Sequence, residues 1–334
     1  MTIRERVQKT LRFEKIPDRL PVVEWAHWWD KTMTRWKKEG FPDCSREESL
    51  QIFGLDPIPM IQGVCHTTEI KPKYHGAPLL SDNEPVEESY EKVRSFIMTD
   101  KKLSGIRENA LKLKPEHDKG DCAVRLHIDG FFSYPRRIFG IEPHMFAFYD
   151  HPELMHKMNA DLVEFNKRIL DTVFEVLIPD IIDVTEDMSY NHGPMLSYEM
   201  FKEFLLPYYK KLVPKMNNSG AKVFIDSDGD ITGMIPWFYE AGVKGALPLE
   251  RQAGVDVARI RKQYPDFMMF GAYDKMVMSK NETAMRAEFE RLLPVMRSGG
   301  YLPGVDHQTP PEVSLENYRI YVRLLKEYCR KAAG

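Results

Sequence analysis

From residue 178 onward the chain repeats one arrangement: a short apolar run suited to a buried strand ends in an acidic residue, and a helical stretch follows. Ile178-Pro-Asp-Ile-Ile-Asp-Val-Thr185 runs into Glu186-Asp187, and Ala221-Lys-Val-Phe-Ile225 runs into Asp226, Asp228 and Asp230. Residues 246–249 lead to Glu250, and 267–271 lead to Tyr273 and Asp274. A last short strand through Tyr301-Leu302 leads to Asp306-His307. Helices are expected from Ser197 to near Pro207-Tyr208-Tyr209, and over 232–240, 255–264, 282–297 and 315–330. Just before the repeats, Leu154, Met158, Leu162, Phe165, Ile169 and Val173 recur at spacings of three and four, which predicts a long amphipathic helix over 152–177. Strands alternating with helices build a parallel sheet. The expected fold is α/β, a single (β/α)8 TIM-type barrel spanning residues 1–334 with N-terminal helical elaborations. In such a barrel the strand ends that carry these acids share one mouth, where active sites lie. No G-x-G-x-x-G opens a helix after a strand, which argues against an open dinucleotide-binding sheet.

The densest cluster of acids is Asp226-Ser-Asp228-Gly-Asp230. Asp226 and Asp228 are two apart, so a strand that continued through both would present them on one face, able to grip one cation or one substrate group. The run imitates the start of a calcium loop. It fails at loop position six, where Ile231 stands for glycine, and at position twelve, where Trp237 stands for glutamate.

The first half is less regular. Pro17 and Pro21 mark the approach to a short strand ending at Glu24, followed by Trp25, His27, Trp28 and Trp29, with Trp36 beyond. Such a cluster is either core packing or the wall of a pocket for a flat substrate. Residues 52–80 read as turn-rich, and the pair Cys65-His66 lacks further regularly spaced ligands for a metal site. Residues 81–100 read as an acidic, solvated helix or loop. Residues 121–127 predict another buried strand, before an aromatic loop that contains Tyr134 and ends in Arg136 and Arg137, suited to clamping a ligand or to ordinary salt bridges. His144, His151 and His156 share no helical face and read as surface residues. The four cysteines, Cys44, Cys65, Cys122 and Cys329, are scattered with no C-x-x-C pair, so neither a disulfide framework nor a thiolate zinc site is expected. A net charge of −3 with both signs interleaved argues against nucleic acid or an anionic membrane as partner. A charged N-terminus and no apolar stretch of roughly 18 residues give the expectation of a cytoplasmic protein.

The order of these pieces resembles the uroporphyrinogen decarboxylase superfamily, which includes corrinoid-dependent methyltransferases. Leu196-Ser197 followed by Phe201 to Pro207-Tyr208 is similar to that family's "sp..f..f..Py" helix. Phe270-Gly-Ala-Tyr-Asp274 is similar to its "QGNlDP" strand end, and Asp18-Arg-Leu-Pro-Val22 to its N-terminal approach. The resemblance covers nearly the whole chain and is clearest from Tyr134 to Tyr318. The decarboxylase branch carries an "RQAGR" element where this chain reads Trp25-Ala-His-Trp-Trp-Asp-Lys. The methyltransferase branch carries a zinc-binding "HxCG" motif, which falls here on Asp226-Ser-Asp228-Gly, and a late cysteine, which falls at or beside His307.

The resemblance implies methyl transfer from a small methylated compound, such as an aromatic methyl ether, to the cobalt(I) of a corrinoid (cobalamin) on a partner protein. It implies a divalent metal, zinc first, held by Asp226, Asp228 and His307. Glu186 or Glu250 is expected as a further ligand or general acid. Trp25, His27, Trp28, Trp29, Tyr134, Arg136 and Tyr273 are expected to line the substrate pocket. Alternatives are a decarboxylase-like lyase that binds an acid through Arg136 or Arg137, and a barrel that binds a corrinoid or its carrier without chemistry. A homodimer is compatible with all three.

Overall fold

A computed structural model describes residues 1–65, 77–81 and 83–333, so His66 and the turn signals over 67–76 lie outside the described residues. Seven strands form one parallel sheet in chain order: β1 (Met60–Gln62), β2 (Arg125–Asp129), β3 (Ile181–Thr185), β4 (Lys222–Asp226), β5 (Gly245–Leu247), β6 (Met268–Tyr273) and β7 (Tyr301–Val305). Each strand pairs with the next along the chain, the order a TIM-type barrel produces as helical crossovers wind one way around it.

The expected eighth strand is not part of this ladder. Its position between β7 and the approach to β1 is taken by the extended segment around Val22–Trp25, held by a different set of bonds. The Asp56 backbone N–H donates to the Val22 carbonyl (2.7 Å), the Val22 N–H donates to the Asp56 carboxylate (2.8 Å), and the Trp25 indole donates to the Val305 carbonyl on β7 (2.7 Å). Pro21 has no N–H for a ladder, and Pro57 and Pro59 deprive the run into β1 of donors in the same way.

The ring interior is divided. Ile181, Phe224, Leu247, Met268, Phe270 and Leu302 form an apolar cluster with Val7 and Leu11 of the N-terminal helix Ile3–Leu11, which plugs the end where the strands begin. That helix starts on a reciprocal capping box between Thr2 and Glu5. Nearer the strands' C-terminal ends the interior turns polar on one side, with Arg125, His127, Asp183 and Asp226.

Outside the ring, the helix Pro152–Phe174 buries all six of its expected apolar positions, and Glu282–Arg297 matches its expected bounds. The helical run from Tyr198 continues past Pro207 to Asn218. It does so by widening to π geometry over Phe201–Leu205, which accommodates the N–H that Pro207 cannot supply. Residues 81–100 contain the helix Val86–Ile97, whose Tyr90, Val93 and Ile97 are buried, so one face of this acidic stretch belongs to the core. His144 is likewise inside: it is fully buried against Phe132 and Phe148, and burial depresses its pKa to about 3.

Candidate active site

β4 ends at Asp226, and the chain then turns sharply. Gly229 takes φ +84°, and a Cβ there would come within 2.6 Å of the Tyr190 backbone, so only glycine fits. The Ser227 hydroxyl accepts the Met188 N–H (3.1 Å), and the Gly229 N–H donates to the Glu250 carboxylate (2.9 Å). This turn breaks the shared face that two-residue spacing would give, and Asp226 and Asp228 enter different clusters.

The first cluster joins Asp228, Glu250 and His307, which arrive from the ends of β4, β5 and β7. One ligand atom of each lies within 4.8 Å of the others, and His307 Nε2 is 3.7 Å from Asp228 Oδ2. Lys275 stands beside them, its Nζ 3.6 Å from Glu250 and 3.7 Å from the buried Asp306. Trp25 meets His307 edge-on at 6.3 Å between ring centroids and so walls the same mouth. Three of the four non-glycine residues with positive φ among the described residues ring this opening: Asp187 (45°), Leu249 (62°) and Ala272 (70°). Backbone strain of this kind gathers where a fold holds side chains for function.

The second cluster lies within the ring. Asp183, fully buried, accepts from both the Arg125 guanidinium and His127 Nδ1. Asp226 Oδ2 sits 3.8 Å from Arg125 and 3.9 Å from His127. His127, Asp183 and Asp226 also bring ligand atoms within 4.8 Å of one another. Burial works against a charged His127, but the Asp183 and Asp226 carboxylates outweigh it and raise its pKa. His127 and Asp183 were not singled out in the sequence. The available signal was an acid inside the apolar run Ile181-Ile-Asp-Val184, at a position facing the same way as Ile181 and Thr185.

Several expected site residues lie elsewhere. Glu186 is fully buried, and its carboxylate accepts the backbone N–H groups of Phe131 (2.8 Å), Phe132 (2.7 Å) and Ser133 (3.2 Å) and the Tyr209 hydroxyl. It ties the loop after β2 to the outer helices and does not face the mouth. Gly130 makes room for it, since a Cβ at 130 would lie 2.1 Å from the Glu186 carboxyl carbon. Trp28 packs with Trp36, Phe53 and Tyr318 as core, and Trp29 precedes the helix Asp30–Lys38 as an exposed residue. Tyr134 is buried beside Tyr90, and Tyr273 is buried against Phe289 with its hydroxyl donating to the Met285 carbonyl (3.2 Å). Arg136 donates to the Asp187 carbonyl (2.9 Å), and Arg137 is paired with Asp129. His27 is exposed, one residue beyond the buried Ala26.

The acids at the mouth hold their protons unusually well. Burial, then Asp187, Glu250 and Asp226, push the Asp228 carboxyl up to about 8. Burial and Asp183 push Asp226 up to about 7, and burial pushes Asp306 up to about 6. Each folded-state pKa exceeds the usual carboxylate value, so these three carboxyls bind more protons in the folded protein than in the unfolded chain between about pH 4 and 8. Stability contributed by the protonated forms is therefore lost as pH rises through this window. The thermal midpoint of cation-free protein is expected to fall from pH 5 to pH 8, and millimolar zinc or manganese is expected to reverse the fall. Differential scanning fluorimetry across that range checks both, and a flat cation-free profile would contradict the charge crowding described.

Comparison with known proteins places the fold. The sequence profile of the family described as uroporphyrinogen decarboxylase (URO-D) matches residues 136–328, more than half of the chain. The chain belongs to the uroporphyrinogen decarboxylase family. Among solved structures, this family member is similar over 98% of its length to a methyltransferase from Methanosarcina mazei, covering 99% of that chain at 14% identity with a TM-score of 0.65. A hyperthermophilic β-glucosidase from Pyrococcus furiosus aligns over 85% of this chain and 82% of its own at 9% identity, with a TM-score of 0.41. No curated protein sequence matches the chain. Family and fold agree on a TIM-type barrel of the uroporphyrinogen decarboxylase family. Among the described residues, no helix is long and apolar enough to cross a membrane.

Proposed function

We propose that this protein transfers a methyl group from a small methylated compound, an aromatic methyl ether by preference, to the cobalt of a corrinoid carried by a partner protein, using a divalent cation bound by Asp228, Glu250 and His307. The observation that carries the reading is the convergence of those three side chains from three strand ends, in a mouth crowded with acids. Two carboxylates and one imidazole suit zinc, and manganese or ferrous iron equally, and a cation there relieves the repulsion that raises Asp228. When bound, such an ion supplies positive charge to the oxygen from which the methyl group departs.

The chain's own residues supply the rest. Trp25 gives the mouth a flat apolar wall against which an aromatic ring can stack. Asp226, whose burial favours the protonated carboxyl, holds a proton for the departing oxygen. Asp183, held by Arg125 and His127, keeps that carboxyl beside a fixed negative charge and so favours its protonated form. A carboxylic acid substrate for a decarboxylase finds less support, because Arg125 is engaged by Asp183, Arg136 by a carbonyl and Arg137 by Asp129.

The test is methyl transfer to free cob(I)alamin from a panel of methoxylated aromatics, using protein whose metal content has been measured. Turnover with at least one compound, abolished by chelation and restored by zinc or manganese, is the expected result. No transfer from any of them by metal-loaded protein would defeat the proposal.

A further inference from the structure

We propose that the plugged end of the barrel, opposite the mouth, carries a second binding site, for a small dianionic oxyanion such as phosphate or a phosphomonoester. A cavity of about 270 Å³ opens there, lined by Arg4, Gln8 and Arg12 on one side and by residues 178–180, Ser219, Gly220 and Lys222 on the other. It lies where β3 and β4 begin, a strand's length of about 15 Å from the acids of the mouth.

Its lining sets three cations against one carboxylate, and that carboxylate is already satisfied. Asp180 accepts from Arg4 Nε (3.0 Å), the Gln8 amide (2.7 Å), His117 Nε2 (3.1 Å) and the Val124 backbone N–H (2.9 Å). Asp180 therefore has no need of the remaining positive charge. Among the described residues Lys222 Nζ makes no hydrogen bond or ion pair, and Arg4 uses only its Nε, so both terminal guanidinium nitrogens are left for a ligand. Arg12 reaches its partner Glu14 outside the cavity lining.

The arrangement also has a sequence logic. Arg4, Gln8 and Arg12 stand at i, i+4 and i+8, so the first helix turns one polar, cationic face to the cavity while Val7 and Leu11 plug the ring. Guanidinium groups bind phosphate oxygens in pairs, and a lysine adds a point charge. A bound dianion joins the first helix to the starts of β3 and β4, and so stabilises the plugged end.

Thermal unfolding with added inorganic phosphate, a small phosphomonoester, or sodium chloride at matched ionic strength tests the site. At about ten times the dissociation constant, phosphate or the monoester is expected to raise the midpoint by about 2 °C beyond chloride. The shift is expected to vanish in the double variant Lys222→Met with Arg12→Gln and to persist in Lys280→Met, a control at an exposed position. A response to the monoester alone identifies an organic phosphate as the ligand, and a response to both identifies the phosphate group itself. An equal rise with chloride, no rise with either phosphate, or an undiminished shift in the double variant would overturn the proposal. The readout is each protein's own phosphate-dependent increment, so a lower starting midpoint in the variant does not obscure the answer.

Discussion

His307→Ala protein is expected to lose its divalent cation and, with it, methyl-transfer activity by on the order of 10²-fold or more. His307 contributes the only nitrogen donor to its cluster and is about one-third exposed, so its removal strips a ligand without opening a core cavity. The folded state should survive with little change in thermal midpoint. Metal analysis after dialysis, run beside the cob(I)alamin assay, separates the outcomes. Asp226→Asn gives the contrasting result, because Asp226 belongs to the neighbouring cluster: the cation is expected to remain while turnover falls and its pH dependence near 7 flattens. If His307→Ala retained its metal and Asp226→Asn lost it, the two clusters would have exchanged roles.

The second large effect is on stability. Glu186→Ala leaves three buried backbone N–H groups and the Tyr209 hydroxyl without their acceptor, in a site with no water access. Removing one partner from a buried charged network costs about 3–5 kcal/mol, which for a chain of this size lowers the midpoint by roughly 4–7 °C. Urea or thermal unfolding measures the loss. Assayed well below its midpoint, the variant should keep turnover within a few-fold of the native protein, because Glu186 faces the outer helices. A catalytic role would give the opposite pattern, with a near-normal midpoint and a collapsed rate.

The contrast between Glu186 and Glu250 shows how far a sequence can be read. Both follow an apolar run at a strand end, and that pattern was enough to indicate a barrel with acids gathered at its C-terminal side. It could not separate an acid that enters the mouth from one that turns back to hold a loop. The difference lies in Gly130, which clears space for the Glu186 carboxyl 56 residues earlier in the chain. Asp226 and Asp228 failed in another way. Their spacing gives one face only if the strand continues, and the Ser227–Gly229 turn ends it after Asp226. The tryptophans divided for a reason composition cannot supply: Trp28 found Trp36 and Tyr318 to pack against, while Trp25 was drawn toward β7 through its indole N–H. β1 escaped notice because it is three residues long and follows two prolines. Long amphipathic helices were the legible part, since their apolar spacing records a packed face directly.

The proline-bearing stave between β7 and β1 has a consequence for how this barrel is closed. β1 to β7 are joined by a continuous parallel ladder of amide bonds, whereas the stave carrying Trp25 is pinned by one amide bond and a carboxylate at Asp56, by Arg46 on the Glu24 carbonyl and by a single indole. The hoop has a seam there, and the aromatic panel stands on it. Val22, Val23 and Ala26 are buried on either side of Trp25, so at this one place the ring is closed by packed side chains rather than by a ladder of amides.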